Sequence, residues 1–155
     1  GALTFDRDEL ESVLLPLDRL VTVPRSTSPR QLEGVVAEHG FSRYPVRDDD
    51  GALLGFVHVK DVLGVDAAAR DLPIADEHLI GFIPLEPGAA LPDVLAAMRD
   101  SGAHLGRVVE GERTVGLVAL EDVLERLIGD IRDAAAETSR RLEDPVRSGA
   151  GAGGR

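Results

Sequence analysis

The chain has 155 residues, 43% of them apolar, and 17 basic against 28 acidic side chains give a formal charge of −11. That balance excludes a general affinity for DNA, RNA or an anionic membrane surface, and the absence of cysteine excludes disulfides, thiolate catalysis and cysteine-based zinc sites. A small anionic ligand is still permitted, because distant exposed carboxylates are screened beyond about 8 Å at physiological salt.

Taken in chain order, "FDRDELESVLL" (5–15) predicts a short amphipathic lead-in helix, which places residues 1–13 ahead of the first folded unit. Leu20, Val21 and Val23 then form an apolar run ended by Pro24, the pattern of a strand. In "SPRQLEGVVAEHG" (28–40), Ser28 is a good N-cap and Pro29 suits the first helical position. Leu32, Val35 and Val36 follow helical spacing, and Gly40 can close the helix. The segment 43–59 gives two short strands around an Asp50-Gly51 turn, and "KDVLG" opens a second helix.

After a linker at 65–78 the order returns, with a strand at 81–85, a helix at 91–102, paired strands within 106–120 and a helix from 121. The first unit is therefore set at 14–64 and the second at 79–134. Residues 135–155 hold the helix end and a glycine-rich tail from 147 that reads as disordered. "GLVALEDVL" (116–124) is a near copy of "GFVHVKDVL" (55–63), Gly40 matches Gly102, and Asp61 matches Asp122. A unit of about 60 residues buries only about 60% of its unfolded surface when alone. The two copies are expected to pack together.

This tandem strand-helix-strand-strand-helix pattern, each half ending G-h-h-x-x-x-D (h apolar), resembles a cystathionine-β-synthase (CBS) domain pair, also called a Bateman module, over residues 14–131. "VLLPLDRLVTVP" (13–24), "FSRYPVRDDDGALLGFVHVKDVL" (41–63) and "GLVALEDVLERLIGDI" (116–131) resemble more narrowly the CBS pair of the CorC and cyclin-M (CNNM), or hemolysin-like, class of magnesium and cobalt transport proteins. The resemblance implies an α/β (α+β) fold of two β-α-β-β-α repeats related by pseudo-twofold symmetry, with sheets facing a central cleft. It also implies homodimerisation through the CBS helices and binding of ATP or AMP, with magnesium in the cyclin-M branch. Proteins of that class carry a transmembrane domain upstream, on the same polypeptide, and hold the pair at the cytoplasmic face of the plasma membrane. The longest apolar runs here, such as "LIGFIPL" (79–85), are far shorter than the roughly 18 residues of a membrane helix. No signal-peptide pattern is present, and the start at "GALTF" without methionine suggests an excised fragment with any membrane segment outside it.

A nucleotide cleft must accept from a ribose diol, offer donors to phosphate and flank the base with apolar surface. Asp61 and Asp122 stand where each unit's last helix starts, and two readings apply: a carboxylate accepting from ribose hydroxyls, the family role, or one that stabilises the first helical turn. The family usually has Thr or Ser three residues before this Asp, where its hydroxyl meets phosphate. Here Ala119 removes that donor, and His58 donates only in the right tautomer or when protonated. His104 aligns with a phosphate-reaching position but also suits a structural role. Arg19 and Arg43 can fork onto phosphate oxygens or serve as solvated surface charges, and Lys60 is a further cation. Val21, Phe41, Ser42 and Leu117 match positions lining the base pocket, although the apolar three would also serve a core. The run Asp48-Asp49-Asp50-Gly51 is read as a turn, because calcium-loop spacing is missing.

No HExxH, G-x-S-x-G, Walker A or Cys-His arrangement occurs, and Glu121 and Asp122, adjacent on a helix, point about 100° apart. The chain is therefore expected not to be an enzyme but a nucleotide-binding regulatory pair of a divalent-cation transport protein, both aspartates looking into one shared crevice. A ligand-free dimerisation module, using the stripes Leu91, Val94, Leu95, Met98 and Val123, Leu124, Leu127, Ile128, is the alternative, as is a free-standing cytosolic regulator of an enzyme.

Overall fold

The computed structural model describes the backbone of residues 8–153 and the side chains of residues 10–142. Residues 1–7 of the expected lead-in segment lie outside it. Helix α1 spans Asp8–Val13, strand β1 Leu14–Pro16, β2 Val23–Pro24, helix α2 Pro29–His39, β3 Arg43–Arg47, β4 Leu53–His58 and the short helix α3 Val59–Val62. The second half supplies β5 Ile83–Leu85, α4 Leu91–Ser101, β6 Leu105–Glu110, β7 Arg113–Ala119 and α5 Leu120–Gly153. The two repeats thus have the expected order. The backbone of α5 stays helical through the stretch read as a disordered tail, as far as Gly153. Once a first turn is packed, each added residue gains a hydrogen bond without a new nucleation cost.

Helix α2 forms for local reasons. Ser28 accepts from the Gln31 N–H while the Gln31 side chain accepts from the Ser28 N–H, a reciprocal capping box, and Pro29 sits at the first position. Gly40 and Gly102 close α2 and α4 in the left-handed region, at φ 75° and 69°, where a side chain would be strained. Each repeat then buries one face of its helices on its own sheet. In the first half Val23, Leu32, Tyr44, Val46, Val57 and Val62 form the core. In the second, Leu85, Leu91, Val94, Met98, Val108, Val118, Val123 and Leu127 do so. This burial corrects the reading of the α4 and α5 stripes as a free interface. Among the α5 residues of that stripe, Leu124 and Ile128 stay exposed, together with Ile131 one turn on.

The halves are joined by an exchange of leading segments. Strand β1, at the very start of the first repeat, pairs antiparallel with β7 of the second, with Leu15 opposite Leu117. Ile80, at the very start of the second repeat, bridges Phe56 on β4 of the first, through two backbone hydrogen bonds of 2.8 Å. The sheets read β1-β7-β6-β5 and, with Ile80 at the edge of β4, the same order in β2-β3-β4 reversed. Both repeated glycines face the incoming chain. A Cβ on Gly116 would lie 2.5 Å from the Leu15 carbonyl oxygen, and one on Gly55 2.5 Å from that of Ile80. The glycine of the G-h-h-x-x-x-D motif thus admits the partner repeat's backbone.

The flanking segments follow their strands. Leu10 and Val13 of α1 enter the second core, and Ile74 of the 65–78 linker enters the first. Ile74 is held by its N–H to the Thr27 carbonyl (2.9 Å) and by Arg25, which donates to the Ile74 carbonyl (2.7 Å) and pairs with Asp76.

Candidate functional site

The exchange leaves a cleft of about 430 Å³ between the repeats. Its floor is Leu117, 1% exposed, on β7, and its wall is Val21 with Leu20 ahead of β2. At the lip stands Phe41, 54% exposed. A phenyl ring left this open is not core packing. It is held in place: its N–H donates to the Tyr44 hydroxyl (3.0 Å), His39 stacks on it at 6.3 Å between centroids, and Tyr44 meets it edge-on at 6.1 Å. Ser42, Ala119, Arg19 and Arg43 complete the predicted set that the cleft gathers.

The aspartates do not meet there, and the expected shared crevice is corrected. Asp122 lines a separate hollow with Leu14, Leu15 and Glu125. Asp61 lines two others, one beside the linker and one beside His58 and His104. The carboxylate that faces the main cleft is Glu121, one residue earlier on α5. Sequence reasoning missed it because adjacent helix positions diverge by about 100° and only the packing of the first turn decides which points inward. Partial burial, then the neighbouring Glu125 and Glu121 carboxylates, hold the Asp122 proton above the ordinary carboxylate range.

A second hollow of about 180 Å³ is the pseudo-twofold counterpart of the cleft, built from Phe56, His58, Lys60 and Asp61 of the first repeat and Gly102 and His104 of the second. The equivalence extends to the backbone: the Val59 N–H donates to Ser42 in one half and the Leu120 N–H to His104 in the other, both at 2.9 Å. His58 Nδ1 accepts from the Lys60 N–H (3.2 Å) as the cap of α3, so in this arrangement the ring offers only Nε2–H as a donor. Burial first, then the Arg43 and Lys60 charges, push the His58 pKa below its ordinary value. Arg43 lies between the two hollows and lines both. Its Nη1 donates to Glu121 Oε1 (3.3 Å) and its Nη2 to His104 Nδ1 (3.3 Å), tying the repeats together.

These residues can hold a nucleoside. An open aromatic face and an apolar floor suit a base, two guanidinium groups suit phosphate, and Glu121 at the α5 start offers a carboxylate to a ribose. With no hydroxyl at Ala119, Arg19, Ser42 and Arg43 are the side-chain donors that line the cleft.

Residues 11–68 match the CBS domain family. The UPF0053 protein MT1890 of Mycobacterium tuberculosis (strain CDC 1551 / Oshkosh) is 33% identical over 159 residues, covering 97% of this chain and 32% of that protein. The magnesium and cobalt efflux protein CorC of Buchnera aphidicola subsp. Baizongia pistaciae is 24% identical over 144 residues, covering 92% of this chain and 51% of that protein. The chain thus spans about a third of the first relative and about half of the second. The CBS domain of a bacterial CNNM/CorC family Mg2+ transporter in complex with ATP superposes with a TM-score of 0.70 at 24% identity, covering 79% of this chain and 90% of that one.

Proposed function

We propose that this CBS-domain pair, which resembles those of the CNNM/CorC transporters, is the cytoplasmic regulatory module of a divalent-cation transport protein and takes an adenosine nucleotide in the 430 Å³ cleft. The observation that carries the reading is Phe41, an exposed and braced ring above the buried Leu117 floor. The base stacks at Phe41 against Val21, and the ribose faces Glu121 at the start of α5. The phosphates extend past Arg19 and Arg43. ATP, with or without magnesium, is the favoured ligand because a relative of the same fold is described in complex with ATP. AMP is the comparison.

Among the described residues no helix is long and apolar enough to cross a membrane. In this reading the ion path belongs to a further part of the polypeptide. A ligand that touches both repeats favours the arrangement it fits best, by an amount set by its differential affinity and typically about 1–3 kcal/mol. The exposed row Leu124, Ile128 and Ile131 on α5 supports a second copy as partner.

Calorimetry with ATP and AMP, with and without magnesium, tests the ligand. Phe41→Ala is expected to weaken binding about 5- to 150-fold, from a base stack worth about 1–3 kcal/mol. No binding of any adenosine nucleotide at millimolar concentration would leave a ligand-free dimerisation module, provided sedimentation shows a stable dimer.

A further inference from the structure

The Arg43, His104 and Glu121 junction exists in one half only. The pseudo-twofold puts Leu105 at the position of Arg43, Ser42 at that of His104 and Lys60 at that of Glu121. The equivalent trio therefore holds neither an imidazole nor a carboxylate, and the repeat architecture does not itself require this one. Its members come from both repeats. Arg43 opens β3 of the first, while His104 precedes β6 and Glu121 lies in the first turn of α5 in the second.

The bonding fixes a protonation state. A guanidinium only donates, so the 3.3 Å contact from Arg43 Nη2 requires a lone pair on His104 Nδ1, and the ring is neutral with its proton on Nε2. The same Nδ1 lies 3.6 Å from Glu121 Oε1, which also accepts from Arg43 Nη1 at 3.3 Å. With its side chain 47% exposed, His104 exchanges protons with solvent without any opening of the fold.

We propose that this trio is a pH-sensitive clasp between the repeats, released by protonation of His104. Once Nδ1 carries a proton it no longer accepts from Arg43, and two cations stand side by side. The Nδ1–H donates instead to Glu121 Oε1, so that a link between repeats becomes an ion pair within the second repeat. Arg43 then shares Glu121 or turns to Asp61, which lines the same small hollow and forms no ion pair among the described residues. Imidazole suits this task because its unperturbed titration falls between pH 5 and 8.

The groups facing His104 act in both directions. Arg43 from β3, His58 at the end of β4 and Lys60 from α3 oppose a charge on the ring, whereas Glu121 from α5 and Asp61 from α3 favour it. The clasp is closed while the ring is neutral and is lost as pH falls through the His104 titration. The pairings of β1 with β7 and of Ile80 with Phe56 contain no titrating group and persist, so the expected motion is a small reorientation of one repeat against the other. No ligand takes part, and the clasp stands whether or not a nucleotide enters the cleft.

The test is NMR of the ligand-free whole chain between pH 5 and 8, on the parent protein and on Arg43→Ala, Glu121→Gln, His58→Asn and His104→Asn. Imidazole nitrogen shifts report the tautomer and the titration midpoint of His104, and residual dipolar couplings report the orientation of the repeats. The neutral ring is expected to be protonated at Nε2. Arg43→Ala is expected to raise its protonation constant about two- to fivefold and Glu121→Gln to lower it by a similar factor, the range of an exposed charge pair. Misfolding cannot give these two opposite shifts. The orientation is expected to change with the His104 midpoint in the parent and in His58→Asn, and to stay constant in His104→Asn. A neutral ring protonated at Nδ1, a midpoint indifferent to both charge substitutions, or an orientation that does not follow the His104 titration overturns the clasp.

Discussion

Replacing Gly116 with alanine puts a methyl carbon 2.5 Å from the Leu15 carbonyl oxygen and 2.7 Å from Leu14 Cδ1. The nearest atom is backbone, so no rotamer change relieves the contact. Two escapes exist. Strand β1 can shift within its pairing, at the ~1–3 kcal/mol typical of overpacking. Alternatively β1 can leave β7 and draw α1 with it, which exposes Leu10 and Val13 at ~1.5–3 kcal/mol each. The first is cheaper, and Gly116→Ala is expected to destabilise by about 2 kcal/mol, a fall in Tm of about 4–8 °C for a chain of this size.

Gly55→Ala meets the Ile80 carbonyl at the same 2.5 Å, but there the incoming chain is held by a single bridge and Ile80 is already exposed. Lifting it loses two backbone hydrogen bonds, and the cost is expected nearer 1 kcal/mol. Gly129→Ala is the control. It lies within α5, nothing stands within 4 Å of its Cβ, and alanine there is expected to stabilise by about 0.5–1 kcal/mol. Urea denaturation of the three variants gives the order. If Gly116→Ala is as stable as Gly129→Ala, the repeated glycine does not serve the exchange of leading segments.

Three further outcomes follow from local chemistry. Asp122 keeps its proton to higher pH when folded than when unfolded, where it titrates near ~3.9. Stability from that group is present in acid and is lost as pH rises from there through the raised folded value, so Asp122→Asn should gain on the parent protein over that interval in urea titrations. His58 has the opposite sense for a base: the fold resists its protonation, and stability falls as pH drops below ~6.5 toward the lowered folded value. His58→Asn, which keeps a cap acceptor for the Lys60 N–H, should flatten that acid limb in thermal melts. Ser28→Ala opens the capping box of α2 and should cost about 1 kcal/mol, read as a shift of the urea midpoint at unchanged slope.

Whatever depends on neighbours in sequence was legible. Ser28, Pro29 and Gly40 define α2 by caps that act within four residues, and the two hairpins announce themselves by period and turn chemistry. Strand β1 was not legible, because three residues carry no alternation and their partner β7 lies about a hundred positions away. The stripes on α4 and α5 showed correctly that a face is covered, but periodicity does not say by what, and most of it is covered by the same repeat. The cleft's apolar lining was readable at Val21, Phe41 and Leu117, whereas the choice between Glu121 and Asp122 turned on less than one third of a helical turn.

The exchange of leading segments also bears on how a ligand could act. Were each repeat closed on its own edge, the halves could rotate past each other with little cost, and a bound molecule would be the main link between them. Here β1 and Ile80 each finish the other repeat's sheet, and Arg43 reaches from β3 to Glu121 and His104. The backbone pairings resist a large rotation, since moving them breaks hydrogen bonds and uncovers Leu10, Val13 and Ile74. The Arg43 contacts are side-chain pairs at the surface, worth little each and easily traded. A small anion placed beside Arg43 can therefore exchange one set of inter-repeat contacts for another while the sheets stay paired. A shift of that size is local at the cleft, and its leverage lies at α5, whose first turn carries Glu121 and whose residues 131–142 are largely exposed.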